Sequence, residues 1–163
     1  MKDAAGISIR HEIKAGDIGR IIHLHGSLYA QELGYDISFE SYVAVPLAEF
    51  ACSIKDRERI WILEKNDELV GCMAIVEHTK TEAQLRWLLL HPDIRDQGLG
   101  KELVSDAISF CRSCGYSSIF LWTESILIPA AELYRSKGFL LTEENTHEIW
   151  GSMLTEQRYE LKL

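Results

Sequence analysis

Residues 91–101 of the chain read His91-Pro92-Asp93-Ile94-Arg95-Asp96-Gln97-Gly98-Leu99-Gly100-Lys101. Their types and spacing suit anion binding. An apolar, strand-like run ending in Leu88, Leu89 and Leu90 comes before them. Leu99, Leu103, Val104, Ala107, Ile108 and Cys111 follow at helical spacing. Where a strand turns into a helix, the helix's first N–H groups stay open, and with its dipole they attract an anion. Gly98 and Gly100 carry no side chain, so a pyrophosphate can approach the backbone. Arg95 and Lys101 add positive charge, and Asp96, Gln97 and Leu99 complete the loop. The same glycines would also serve a plain strand-to-helix turn.

Two common phosphate loops do not fit. In the G-x-x-x-x-G-K-[ST] pattern, Arg95 stands at the first glycine and Glu102 at the Ser/Thr. In the G-x-G-x-x-G pattern, Leu103 replaces the third glycine, and several elements come before it instead of one strand. A dinucleotide enzyme is therefore a weak reading.

The elements that must position this loop are legible from periodicity. Ile7, Ile9 and Ile13 suggest a first strand. Asp17 can cap a helix carrying Ile18, Ile21, Ile22, Leu24, Leu28 and Leu33, and Gly34 is its stop. Ser38 can cap a second helix, which Pro46 breaks, kinks or restarts. Arg59 to Glu64, Leu69 to Val76 and Gln84 to His91 read as strands, the first two joined by a tight Asn66-Asp67 turn. The Leu88-Leu89-Leu90 run suggests burial on both faces. A helix from about Gly98 to Cys114 follows, then a buried strand from Ser118 to Thr123. Pro129 suits the first turn of another helix, which Gly138 ends. Phe139 to Trp150 and Met153 to Leu163 are the last strands, and alternation in the second marks a half-buried edge. The expected fold is α/β (α+β), one domain over residues 1–163, with about seven strands in a mixed sheet and about four helices.

Composition narrows the partners. The 163 residues carry a formal net charge of -8 and no cluster of Lys and Arg, so nucleic acid is not an expected partner. The acidity suits a cationic partner such as an amine. No stretch resembles a secretion signal or could span a membrane, so a soluble, cytoplasmic protein is expected. Cys111 and Cys114 form a C-x-x-C that closes a helix where redox pairs open one, so Cys52, Cys72, Cys111 and Cys114 are expected as reduced thiols. His23, His78, His91 and His147 lack clustered spacing, and no metal is expected.

The R-x-x-G-x-G spacing from Arg95 to Gly100 resembles the acetyl-CoA pyrophosphate loop of GNAT acetyltransferases. Ala130-Ala131-Glu132-Leu133-Tyr134-Arg135-Ser136-Lys137-Gly138-Phe139 resembles that superfamily's A-x-x-L-Y-x-x-x-G-F segment. The two stand in the expected order with a strand between them. His25 to Tyr35 and Leu121 to Ser125 resemble the acetyltransferase domain of bacterial MarR–GNAT fusions, without their winged-helix half.

The resemblance implies an enzyme in which an amine attacks the thioester of acetyl-CoA directly. It makes Tyr134 the acid that protonates the leaving thiolate. It also implies that backbone groups of Leu88, Leu89 and Leu90 pair with the pantetheine arm where their strand splays from its parallel neighbour. It places the first two helices beside the acceptor, where His25, Tyr29 and Glu32 share a helical face. Glu124 and Glu40 are further acidic candidates. Trp122 reads as core or as a wall of the acceptor pocket, and Trp61, Trp87 and Trp150 as core. Two positions depart from the pattern: Gln84 stands where histone-acetylating members carry a glutamate base, and Leu127 where many members carry an asparagine. They keep a second reading open, a non-catalytic acyl-CoA-binding module. The resemblance is also compatible with a homodimer.

Overall fold

In the computed structural model, which describes residues 6–163, seven strands form one sheet in the order β1-β2-β3-β4-β5-β7-β6. The strands are β1 (Ile7–Arg10), β2 (Arg59–Lys65), β3 (Glu68–Glu77), β4 (Glu82–Leu90), β5 (Ser118–Glu124), β6 (Leu140–Ile149) and β7 (Ser152–Lys162). Four α-helices cover the sheet: α1 (Asp17–Leu33), α2 (Ile37–Cys52), α3 (Leu99–Ser113) and α4 (Ile128–Ser136). Ile21, Leu47 and Phe50 of α1 and α2 pack with Ile60, Ile62, Cys72 and Ala74 on one face. Leu99, Leu103 and Val104 of α3 pack with Leu63, Met73, Ile75 and Leu85 on the other.

Among the described residues only β4 and β5 pair in parallel, from Glu82–Ser118 to Gln84–Phe120. Beyond Gln84 they part. β4 carries a bulge, where Trp87 takes the left-handed conformation (φ 54°) and the register against β3 shifts between Cys72 and Ala74. After the bulge β4 stays with β3, while β5 follows β7 to the Glu124–Glu156 pair. Gly71 makes this possible: a Cβ there would lie 2.9 Å from both the Leu89 carbonyl oxygen and Leu90 Cδ2.

Several expectations are corrected. β1 ends at Arg10, before Ile13. Asp36, not Ser38, caps α2, accepting from the Ser38 amide at 2.9 Å. α2 runs through Pro46 because Phe39, Val43, Leu47 and Phe50 form a buried stripe on both sides of it. Burial of that stripe offsets the missing N–H, which costs about 3 kcal/mol in a helix interior. The expected edge strand, β7, lies inside the sheet, and β6 is the edge. β6 is almost wholly exposed, and Glu143, Glu144 and Glu148 discourage further strand addition. Of the three consecutive leucines only Leu89 is buried, because the splay uncovers Leu88 and Leu90. A short 3-10 turn, Pro92–Ile94, separates β4 from the glycine loop.

Asp17 heads α1 but does not cap it; Gly16 does. Its fully buried carboxylate accepts from both Arg10 guanidinium nitrogens (2.7 and 2.8 Å) and from the Lys14 amide (2.6 Å). Arg10 also reaches Glu64 at 2.8 Å. Burial pushes the Asp17 carboxyl up, but Arg10 and the Lys14 amide together hold it below its ordinary value. The lowered folded-state value means that this pair stabilises above the unfolded pKa and is lost as pH falls through the folded one. Asp17→Asn should therefore cost about 3 kcal/mol in urea unfolding at neutral pH, by leaving a part-buried Arg10 short of charge. That difference from the unsubstituted chain should shrink below about pH 4.

Candidate active site

The splay of β4 from β5 opens the sheet, and two cavities meet at the gap. One is a cleft of about 960 Å3 between the end of β4, the glycine loop and α4. The other is a chamber of about 120 Å3 on the α1–α2 face. Tyr29, Leu88, Leu127, Ala130 and Tyr134 line both.

The cleft holds most of the loop residues singled out by sequence. Leu88, Leu89, Leu90, Arg95, Asp96, Gly98, Gly100 and Lys101 line it. Gly98 caps α3 with φ 83°, a conformation that favours glycine, and no side chain caps the helix's first turn. Gly100 lets α3 approach α4: a Cβ there would lie 3.2 Å from Leu133 Cδ2. Lys101 has no ion-pair partner among the described residues.

Other members of the set sit elsewhere. Leu99 is buried in the core beneath α3, and the Gln97 side chain donates back to the Asp93 carbonyl at 3.2 Å. Neither lines the cleft. Arg95 donates to the Leu90 carbonyl at 2.9 Å and grips Glu32 with two bonds of 2.9 and 3.0 Å. Its charge is thus already balanced, and one of the Leu88–Leu90 backbone acceptors is occupied.

The expected trio of His25, Tyr29 and Glu32 is divided. Glu32 belongs to the cleft, through Arg95, and Tyr29 stands at the junction. His25 lines the chamber and is 3% exposed. Its Nδ1 donates to the Ile21 carbonyl at 2.9 Å, and burial lowers it to about 4. It is therefore neutral at pH 7 and a feeble base. Glu40 lies outside the chamber's lining, against Gly26, where a Cβ would meet its Oε2 at 2.7 Å.

Glu124 and Trp122 line the chamber from β5. Glu124 is 8% exposed and has no ion-pair partner among the described residues. Burial, and then the charge of Glu156 opposite it on β7, raise its carboxyl to about 7. Glu156 is itself held by His147 Nε2 at 2.6 Å. Tyr134 is 6% exposed, with its ring edge-on to Phe139 and tilted against Tyr159, at 6.0 and 6.1 Å. Its hydroxyl bonds no protein atom among the described residues. Burial, and then Glu124, push this phenol up, so it stays protonated.

Gln84 lines the chamber too, as do Phe39, Tyr42, Arg86, Trp87, Trp150 and Glu156. Sequence reasoning singled out Gln84 as standing at the usual base position, assigned Trp87 and Trp150 to the core, and missed Phe39, Tyr42, Arg86 and Glu156. Only the alternation of β4 around Gln84 could have placed Arg86 on the same face. Among the described residues no cluster of three or more His, Cys, Asp or Glu is arranged to hold a metal ion.

Comparison with known proteins gives a consistent picture. The family model described as the acetyltransferase (GNAT) family matches residues 27–139. An uncharacterised N-acetyltransferase of Schizosaccharomyces pombe is 30% identical over 125 residues, 73% of this chain and 74% of that protein. Human N-acetyltransferase 8B is 31% identical over 99 residues, 58% of this chain but 44% of that protein, so the chain spans less than half of this relative. The fold is similar to that of yncA from Salmonella typhimurium, solved with its cofactor acetyl-CoA. The TM-score is 0.77 at 20% identity, covering 96% of this chain and 94% of that one.

The raised Glu124 carboxyl has a consequence for stability. The folded state holds this proton more tightly than the unfolded chain does, so stability falls as pH rises through about 7. Glu124→Gln should raise stability at pH 8 by roughly 2–4 kcal/mol and change little near pH 4. Thermal unfolding at the two pH values measures this. A variant equally destabilised at both would contradict the raised value.

Proposed function

This chain belongs to the GNAT acetyltransferase family, and on that premise we propose that it transfers the acetyl group of acetyl-CoA to a primary amine by direct attack. The observation that carries the reading is the placement of Tyr134 and Glu124. A phenol held protonated stands where the two cavities meet, and a carboxyl titrating near 7 lines the chamber beyond it. These are the protonation states that an acid and a base need in order to work together.

The cleft suits acetyl-CoA. Leu88, Leu90, Leu127, Ala130 and Leu133 offer apolar walls to a pantetheine arm. The uncapped first turn of α3 and Lys101 offer N–H groups and charge to a pyrophosphate. Bound there, acetyl-CoA supplies an activated acyl thioester. The amine sits in the chamber and loses a proton to Glu124. The nitrogen–carbon bond forms, the carbon–sulfur bond breaks, and Tyr134 gives its proton to the departing sulfur. The acylated nitrogen sheds its second proton to solvent, and solvent returns the proton held by Glu124 to Tyr134. Glu124 thereby fills the role that Gln84, which cannot accept a proton, leaves vacant.

The likeness of His25–Tyr35 and Leu121–Ser125 to the acetyltransferase domain of MarR–GNAT fusions supports a bacterial origin. The four free thiols suit a reducing cytoplasm. Gln84 and Leu127 favour one other reading, an acyl-CoA-binding module without turnover.

Thermal shift and kinetics separate the two. Acetyl-CoA at about a hundred times its Kd should add roughly 2.7 kcal/mol to the folded state, with NAD giving no shift. Gly100→Glu and Lys101→Glu should lose that gain. Tyr134→Phe should lower kcat by about a hundredfold or more. The unsubstituted enzyme's kcat/KM should rise with pH through about 7 and flatten in Glu124→Gln. Binding without acetylation of any amine would leave the non-catalytic module, and no binding at all would sink both readings.

A further inference from the structure

The acceptor chamber has one cationic wall and one anionic wall. Arg86 is paired with Ala74 across β3 and β4, and Ala74 packs in the α1–α2 face of the core. Arg86 therefore projects from the same face as the chamber. Its guanidinium carbon lies 4.8 Å from the Trp87 ring centroid. It stands close to the Tyr42 phenol, which burial raises and Arg86 lowers. No carboxylate pairs with it among the described residues, whereas Arg57, Arg95 and Arg158 all hold one. Across the chamber stand Glu124 and Glu156, paired between β5 and β7. Glu124 has no cation of its own. Phe39, Trp122 and Trp150 supply apolar surface between the charged walls.

A ligand bearing only positive charge would meet Glu124 but would be repelled by Arg86. A ligand bearing both charges satisfies each wall, and a guanidinium beside an aromatic face is well suited to a carboxylate. The volume, about 120 Å3, is that of roughly four waters at about 30 Å3 each, the scale of a small amino acid. We infer that the acceptor is a free amino acid or a close analogue, its amine directed to Glu124 and Tyr134 and its carboxylate bound by Arg86. This rests on the acetyltransfer proposed above and names the class of molecule that receives the acetyl group.

The test uses acceptors matched with and without the carboxylate. Alanine is compared with alaninamide and ethylamine, 4-aminobutanoate with propylamine, and spermidine stands for a purely cationic acceptor. Amine basicity differs within each set, so the decisive quantity is the change in acid-to-amine preference between the unsubstituted enzyme and Arg86→Gln. The unsubstituted enzyme should prefer at least one carboxylate-bearing acceptor over its partners by tenfold or more in kcat/KM. Arg86→Gln should erase most of that preference, chiefly through KM, and Arg86→Lys should restore part of it. A variant that no longer binds acetyl-CoA is misfolded, and Arg86→Lys then carries the comparison. Equal use of acids and amines, a preference unchanged by Arg86→Gln, or spermidine as the best acceptor would overturn the inference. So would acetyl-CoA binding with no member of the panel acetylated. Failure to bind acetyl-CoA would instead remove the acetyltransfer reading beneath it.

Discussion

Two parallel strands that pair for three residues and then separate leave backbone donors and acceptors facing a gap. Such groups must find partners, and in a sheet interior the available ones are water or a ligand. The gap between β4 and β5 is thus both a local weakness of the sheet and the reason a cleft exists. The Trp87 bulge bends β4 away, Gly71 admits the bent strand, and the β5–β7 ladder holds the other side straight to Glu124. Each element on the two faces sits relative to that gap. α3 and α4 wall the large cleft, and α1 and α2 roof the small chamber.

The chamber shows how a site is set against the stability of its own fold. Glu124 and Glu156 face each other across neighbouring strands, where opposed like charges destabilise a sheet. Glu156 is bonded by His147, but Glu124 has no cationic partner among the described residues. A neutral glutamine would suit the packing better. The carboxyl makes sense for what it can do with a proton, since a buried acid brought near neutrality can both take one and release it.

The sequence made the elements and the glycine loop readable because both rest on local physics. Helical stripes, the Asn66-Asp67 turn and Gly34 all express preferences of a few neighbouring residues. Cys111 of the C-x-x-C is buried in α3, and its thiol is pushed up to about 12 by burial. Failures came where distant residues decide. Pro46 stays in a helix because of a buried stripe that only tertiary packing rewards. The interior position of β7 depends on β6 returning outside it. Glu32 was set beside His25 by helical spacing, but Arg95, far along the chain, drew it to the cleft. Arg86 and Glu156 were not legible as site residues at all, because an exposed and a half-buried charge look alike in an alternating strand.

Gly71 has no chemistry, yet it holds the bent half of β4 in place by lacking a side chain. Even a methyl group there would press on the Leu89 carbonyl and the Leu90 side chain at 2.9 Å. The strand could answer only by moving the residues that border the cleft. A side chain at this position on a neighbouring strand would thus reshape the cleft from outside it, through the Leu89 and Leu90 that line it.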